Sequence, residues 1–230
     1  VGGKSVDLLS RNRKKLQDIV RLELADRCSI DSCLNKKTTL KIAEQVGVPY
    51  PESWTFSTIE EYSNESLDFK FPLVIKGISE LNKSEPTYIH NKEGLDLEIK
   101  KNRGREFPLI QQYIEGSGVG FFALYDRGQL KRYFMHRRVR EYPPTGGVSV
   151  CAVSIYDGKL LDYGRRLLDA LKWHGVAMVE FKRDRSSEEL YLIEINPKLW
   201  GSHDLAIASG MDFAKALIDM SMGSLDDEYE

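Results

Sequence analysis

Apolar side chains recur along the chain at two spacings, and the changes of spacing mark its elements. After Asn35, a residue suited to capping a helix, Leu40, Ala43 and Val46 recur at helical intervals until Gly47 and Pro49 end the run. A second helix is predicted from Ser57, because Ser57 and Glu60 have the spacing of a capping box. The apolar runs at 72–76 and 107–116, each closed by a glycine, read as strands, and with the two helices they make a small α+β lobe. Residues 120–126 and 129–136 predict a hairpin around Arg127 and Gly128, followed by a Pro- and Gly-rich loop at 141–147 and a strand at 148–155. Residues 159–173 predict a helix with Leu161, Leu168 and Leu171 on one face and Leu167 widening the stripe. Two further strands, 175–184 and 189–196, flank a polar turn, and short helices follow at 203–210 and 212–220. The first 34 residues show no compact unit of their own and read as a remnant of, or linker from, a preceding domain; residues 224–230 read as an acidic tail.

Composition adds limits. With 41% hydrophobic side chains, 230 residues can bury a core as one domain or two small lobes. Thirty-three basic residues against thirty-five acidic ones give a net charge of -2, so bulk electrostatics argues for neither a nucleic-acid nor a membrane partner. Cys28, Cys33 and Cys151 match neither a zinc ribbon nor a redox pair and read as reduced thiols of a cytoplasmic protein. No apolar run approaches the roughly twenty residues that span a bilayer.

The candidate chemistry begins with two acids. Side chains alternate along a strand, so Val176, Met178, Glu180 and Lys182 share one face, as do Leu190, Leu192, Glu194 and Asn196. A hairpin centred near Ser187 sets Glu180 opposite Glu194, where like charges are destabilising unless something neutralises them. Two carboxylates and the Asn196 amide oxygen are hard ligands that suit Mg²⁺ better than zinc. The competing reading pairs the acids with Lys182 or Lys198, or shifts the register so that one faces water.

Three basic features accompany the acids. Lys76 can lay its stem along an apolar strand and present its ammonium at the end, for a phosphate or simply for solvent. Lys36 stands at a helix start, where a cation opposes the dipole unless an anion is bound. In the run 136–141, Arg138 and Arg140 share a face if the strand continues; their forks suit phosphate or carboxylate, although such a run can also be a solvated face.

Taken in order, these residues resemble the ATP-grasp superfamily, in its carboxylate-amine ligase-like branch related to biotin carboxylase and the carbamoyl phosphate synthase large subunit. The resemblance covers residues 35 to 221. It is carried by the acid of 179–184 followed by Glu194, Asn196 and Pro197, by Asn35-Lys36 leading through a helix to Gly47-Val48-Pro49, and by the strand before Gly116. It implies two α+β lobes gripping ATP, a small lobe at 35–114 and a catalytic lobe at 115–223, with the family's amino-terminal Rossmann-like domain absent or truncated.

It also implies roles. Glu180, Glu194 and Asn196 would hold Mg²⁺, or Mn²⁺ in its place, and Lys36 and Lys76 would touch the phosphates. Gln111, Gln112, Tyr113 and Ile114 would line the adenine pocket, with Glu115 near the ribose. The loop at 143–149 would fold over the phosphates or an acyl intermediate, with Arg138, Arg140 and Lys198 acting on the phosphoryl group in transit. Asn35 and Lys198 depart from the family's Asp and Arg, and at Lys198 a planar fork is replaced by a point charge. The expected activity is a ligase that activates a small carboxylate for attack by an amine or similar nucleophile, releasing ADP and phosphate. The competing functions are a non-catalytic ATP-binding regulatory module and a kinase of a small metabolite.

Overall fold

In a computed structural model, described at residues 2–65, 67–82, 85–102, 106–142 and 147–226, two antiparallel sheets face one another across a cleft. The chain opens with α1 (Gly3–Arg11), α2 (Arg13–Leu16), α3 (Arg27–Leu34) and α4 (Lys36–Gln45). The first sheet comes from β1 (Ser53–Trp54), β2 (Leu73–Lys76), β3 (Thr87–Ile89) and β4 (Leu109–Gln112), in the order β1-β4-β2-β3. Helices α5 (Ile59–Asn64) and α6 (Lys92–Lys101) interleave with these strands. The second sheet, in the order β7-β6-β5-β8-β9, comes from β5 (Gly116–Asp126), β6 (Gln129–Tyr142), β7 (Val148–Ser154), β8 (Gly175–Asp184) and β9 (Leu190–Asn196). Helix α7 (Gly158–Ala170) lies between β7 and β8 in sequence, and α8 (His203–Ala208) and α9 (Phe213–Met222) follow β9. Among the described residues no helix is long and apolar enough to cross a membrane.

Strand alternation assigns each sheet its faces. In β2, Leu73 and Ile75 join Leu95, Ile99 and Ile110 in the small sheet's core, while Val74 and Lys76 turn to the cleft. In β5, Val119, Phe121, Ala123 and Tyr125 pack with Leu160, Leu167 and Leu168 of α7. The opposite face of β5 puts Phe122 and Leu124 against the Trp200, Ala206 and Phe213 region. Beyond Phe122, that second face runs on through Gly120 and Gly118 as the side of the sheet that meets the cleft.

The first 34 residues do not stand apart. Val6, Ala25, Ile30, Cys33 and Leu34 are buried in the α7 core, Ser29 Oγ donates to the Leu171 carbonyl at 2.8 Å, and His174 Nε2 meets Glu23 at 2.7 Å. Helix α4 joins the two sheets. Its Ala43 enters the large core, whereas Leu40 packs with Ile78 and Leu109 of the small lobe. Its cap is the predicted one, Asn35 accepting from the amides of Lys37 and Thr38.

Four local expectations change. Helix α5 starts one residue later than predicted: Thr58 accepts from the Glu61 amide at 3.1 Å and Glu61 accepts from the Ser57 amide at 2.6 Å, so the capping pair is Thr58 with Glu61. In α7 the buried stripe is Leu160, Gly164, Leu167 and Leu168, with Leu161 only half-buried. Gly164 concealed that stripe, because the ring of Phe121 packs where its side chain would be. Strand β4 ends at Gln112 and not at Gly116; residues 113–115 are the crossing between the sheets.

The fourth change is a bulge in β9. Glu180 pairs with Glu194 as expected, but Phe181 pairs with Leu192, which leaves Ile193 as the extra residue. Leu190 and Leu192 are therefore in the α7 core, on the face opposite Glu194 and Asn196, and Ile193 lines the cleft.

Candidate active site

The cleft between the sheets measures about 850 Å³. The small sheet contributes Val74, Lys76, Tyr88, Gln111 and Gln112, the crossing contributes Tyr113 and Ile114, and the large sheet contributes Arg138, Glu180, Glu194 and Asn196. Gln111 is 2% exposed and fixed from both sides, accepting from Lys76 Nζ at 2.9 Å and donating to Ser53 Oγ at 2.9 Å. Lys36 reaches the cleft from the start of α4, where it forms an ion pair with Glu80.

On the large sheet, one cross-strand row reads His136, Gly120, Glu180, Glu194 from β6 to β9. The β-carbons of directly opposed residues lie about 5 Å apart, close enough for like charges on the two side chains to repel. Burial, then the Glu194 charge, push the Glu180 carboxyl above its usual range, while Arg138 pulls it down. Arg138 achieves this by crossing the face of β5 at Gly118, where a Cβ would lie 2.7 Å from its Cδ, to place Nη2 2.9 Å from Glu180. It also meets Glu141 at 3.5 Å and donates to the Gly147 carbonyl at 3.2 Å.

The donor set fits a small hard cation. The two carboxylates supply charge, and Asn196, in line with Met178 one row along, donates its amide to Glu194 Oε1 at 2.7 Å. A half-turn of that amide would present oxygen to an ion shared with Glu180 and Glu194. Among the described residues no group of three or more His, Cys, Asp or Glu is gathered where it could hold a metal ion.

Two candidate residues lie elsewhere. Arg140 is exposed and does not line the cleft, because bulges between Arg138 and Glu141 break the alternation; Glu141, three residues on, shares the face of Arg138. Glu115 points away as well, 64% exposed and paired with Arg185 at 2.7 Å. Lys198 lines the cleft. Residues 143–146 of the Pro- and Gly-rich loop lie outside the described residues, and Gly147 and Ser149 line the cleft.

Sequence reasoning passed over His136, Glu141, Trp200 and Ser202, all cleft-lining. His136 stood within reach of period-two reasoning, being two residues from Arg138 on one strand; Glu141 did not, because the bulge that turns it inward has no local signature.

No protein-family model matches the sequence. Solved structures do share the fold. An L-amino acid ligase from Bacillus licheniformis superposes with a TM-score of 0.73 at 16% identity, covering 99% of this chain and 57% of that one. D-alanine–D-alanine ligase from Bacillus anthracis, complexed with ATP, gives 0.69 at 18% identity over 97% and 76%. The biotin carboxylase domain of Hydrogenobacter thermophilus 2-oxoglutarate carboxylase, solved with MgADP and bicarbonate, gives 0.75 at 16% identity over 94% and 51%. The chain thus spans a little over half the length of the first and third of these proteins. Fold and cleft define an α+β architecture of two sheets closing on a shared groove. It is the ATP-grasp fold, as the sequence signature implied.

Proposed function

We propose that the chain is the catalytic part of an ATP- and Mg²⁺-dependent ligase that activates a carboxylate as an acyl phosphate. The observation that carries this reading is the convergence on one cleft of Lys36, Lys76, Gln112, Tyr113 and Ile114 with Glu180, Glu194 and Asn196. The crossing offers backbone groups and the Tyr113 and Ile114 side chains to an adenine, and the lysines and acids then meet the phosphates. Magnesium, held by Glu180, Glu194 and Asn196, would offset charge on the β- and γ-phosphates. Arg138, fixed over Gly118, aims its guanidinium at the same place, and Lys198 adds a second cation.

In the first step a carboxylate oxygen attacks the γ-phosphorus, and the bond to the bridging oxygen breaks so that ADP leaves with the electron pair. In the second step an amine attacks the acyl carbon, phosphate departs with the carbon–oxygen pair, and the amine loses a proton to water. No side-chain nucleophile takes part. The test is turnover with hydroxylamine as nucleophile and a panel of carboxylates: one ADP and one phosphate should form per hydroxamate. AMP and pyrophosphate as the stoichiometric products would overturn the mechanism. Lys198 in place of Arg favours a second reading, a module that holds ATP without turning it over; it predicts MgATP binding with no ADP release for any carboxylate.

A further inference from the structure

Past the acidic pair, toward β6 and β7, the cleft wall changes character. His136, Met178, Leu199, Trp200 and Ser202 line it. His136 is 1% exposed, and the ring of Phe122, standing over Gly120, holds it edge-on at 4.6 Å while packing on Trp200 at 4.3 Å. The Nδ1 of His136 faces Ser202 Oγ at 3.3 Å, whereas its Nε2 is buried with no hydrogen-bond partner. Trp200 Nε1, in the same aromatic cluster, is also buried without one. Buried polar atoms are nearly always satisfied, so two orphans in one wall of a cleft call for a partner that enters from it.

Resting on the reading above, we propose that this wall is the carboxylate subsite, that His136 Nε2 donates a hydrogen bond to the substrate carboxylate, and that the substrate is a monocarboxylate with an apolar or aromatic body. The placement follows from the row His136, Gly120, Glu180: two strand spacings, about 10 Å, separate the imidazole strand from the acid strand. An acceptor oxygen within about 3.5 Å of a phosphoryl group held at the acids lies in that interval. Arg138 is already bound to Glu180 and Glu141, whereas His136 brings to this wall a ring nitrogen with no partner, placed to orient the carboxylate. With the proton on Nε2, as the proposal requires, Nδ1 is the acceptor and the Ser202 hydroxyl, 3.3 Å away, is placed to donate to it. Burial, then Arg138, hold the ring neutral down to about pH 4, so it donates without adding charge. Trp200, Met178 and Leu199 are apolar, which sets the body of the substrate.

Calorimetry of phenylacetate and of succinate into the protein with MgADP, for the wild type, His136→Phe and His136→Gln, decides the matter. Phenylacetate should bind the wild type and bind more tightly than succinate. His136→Phe should weaken it roughly 10- to 100-fold, the loss expected for a hydrogen bond to a charged group. His136→Gln, whose amide restores a donor near the Nε2 position, should stay within about threefold, with MgADP affinity unchanged in both variants. Equal affinity in all three proteins would mean that a buried water satisfies the ring, and would overturn the proposal. Absence of phenylacetate binding, preference for succinate, or equal losses in Phe and Gln would also overturn it. Phenylacetate binding that depends on His136 without hydroxamate formation would overturn the ligase reading instead and leave the subsite standing. Hydroxamate formation indifferent to His136 would do the reverse.

Discussion

Glu194 and His136 lie three strands apart on one row of the large sheet, and their chemistry pulls in opposite directions. At Glu194, charge is the point. Glu194→Gln should leave the melting temperature unchanged or raised, since one of two repelling carboxylates is gone. It should weaken MgATP at least about tenfold, because an amide ligates without supplying charge. Unchanged MgATP affinity in calorimetry would remove the metal assignment. At His136, charge is excluded: burial, then Arg138, depress its pKa to about 4, against about 6.5 in an unfolded chain. Between those values the unfolded state binds more protons than the folded one, so stability is fully present above about pH 6.5 and falls as pH drops toward 4. His136→Gln should flatten that part of a denaturation-versus-pH profile, and an unaltered slope would contradict the assigned neutrality. The pairing of the acids was legible in the sequence because a short polar turn centres the hairpin near Ser187, whereas the bulge at Ile193, which sends Leu190 and Leu192 to the other face, was not. The fate of Arg140 was not, since the bulges of β6 that turn it outward are set by pairing with β7 and not by its neighbours in sequence.

Strand β5 shows how an element can be shaped by what it omits. Its cleft face presents Gly118 and Gly120, and each absence admits a different neighbour: Arg138 at the first, the buried Phe122 ring at the second. The two glycines should therefore fail differently. Gly118→Ala brings a Cβ within 2.7 Å of Arg138 Cδ and 2.8 Å of Glu141 Oε1, side chains that border the cleft, so turnover in the proposed reaction should drop as Arg138 is pushed off Glu180, with a smaller loss of stability than at Gly120. Gly120→Ala sets a Cβ 2.5 Å from a ring with no room to retreat and should cost about 1–3 kcal/mol, read as a lower urea midpoint. Similar losses of stability in both would count against the separate roles. The helices and strands themselves were readable from period and caps. Glycine stripes were not, because a glycine in a strand or helix pattern gives no sign of which ring or guanidinium it makes room for; Gly164, which admits Phe121 into α7, is the same case.

At the scale of the whole molecule, the cleft exists because α4 and the 113–115 crossing tie two differently built sheets together, one bringing lysine and the other acid. Sequence signals placed these parts in order but did not reveal that residues of the first 34 join the large core, since Ile30 and Leu34 become a buried face only when α4 and β9 are there to meet them. The division of labour across the cleft has a measurable consequence. In the proposed binding mode a nucleotide laid along it would meet the crossing with its base and both sheets with its phosphates, so a change at Lys76 would separate the two halves of the ligand. Lys76→Ala removes an ammonium held beside Gln111 by a 2.9 Å hydrogen bond. A lysine–phosphate contact is worth about 1.5–3 kcal/mol, so ATP affinity should fall roughly 10- to 150-fold. Adenosine, which has no phosphate to reach the lysine, should bind the variant and the wild type alike. The same contrast should appear in thermal stability, because a ligand at about 100 times its Kd adds about 2.7 kcal/mol to the folded state. MgATP should raise the melting temperature of the wild type more than that of Lys76→Ala at one concentration, while saturating adenosine shifts both equally. Equal losses for ATP and adenosine would mean that Lys76 shapes the base pocket through Gln111, and the phosphate end of the cleft would then have to be assigned to Lys36, Arg138 and Lys198 without it.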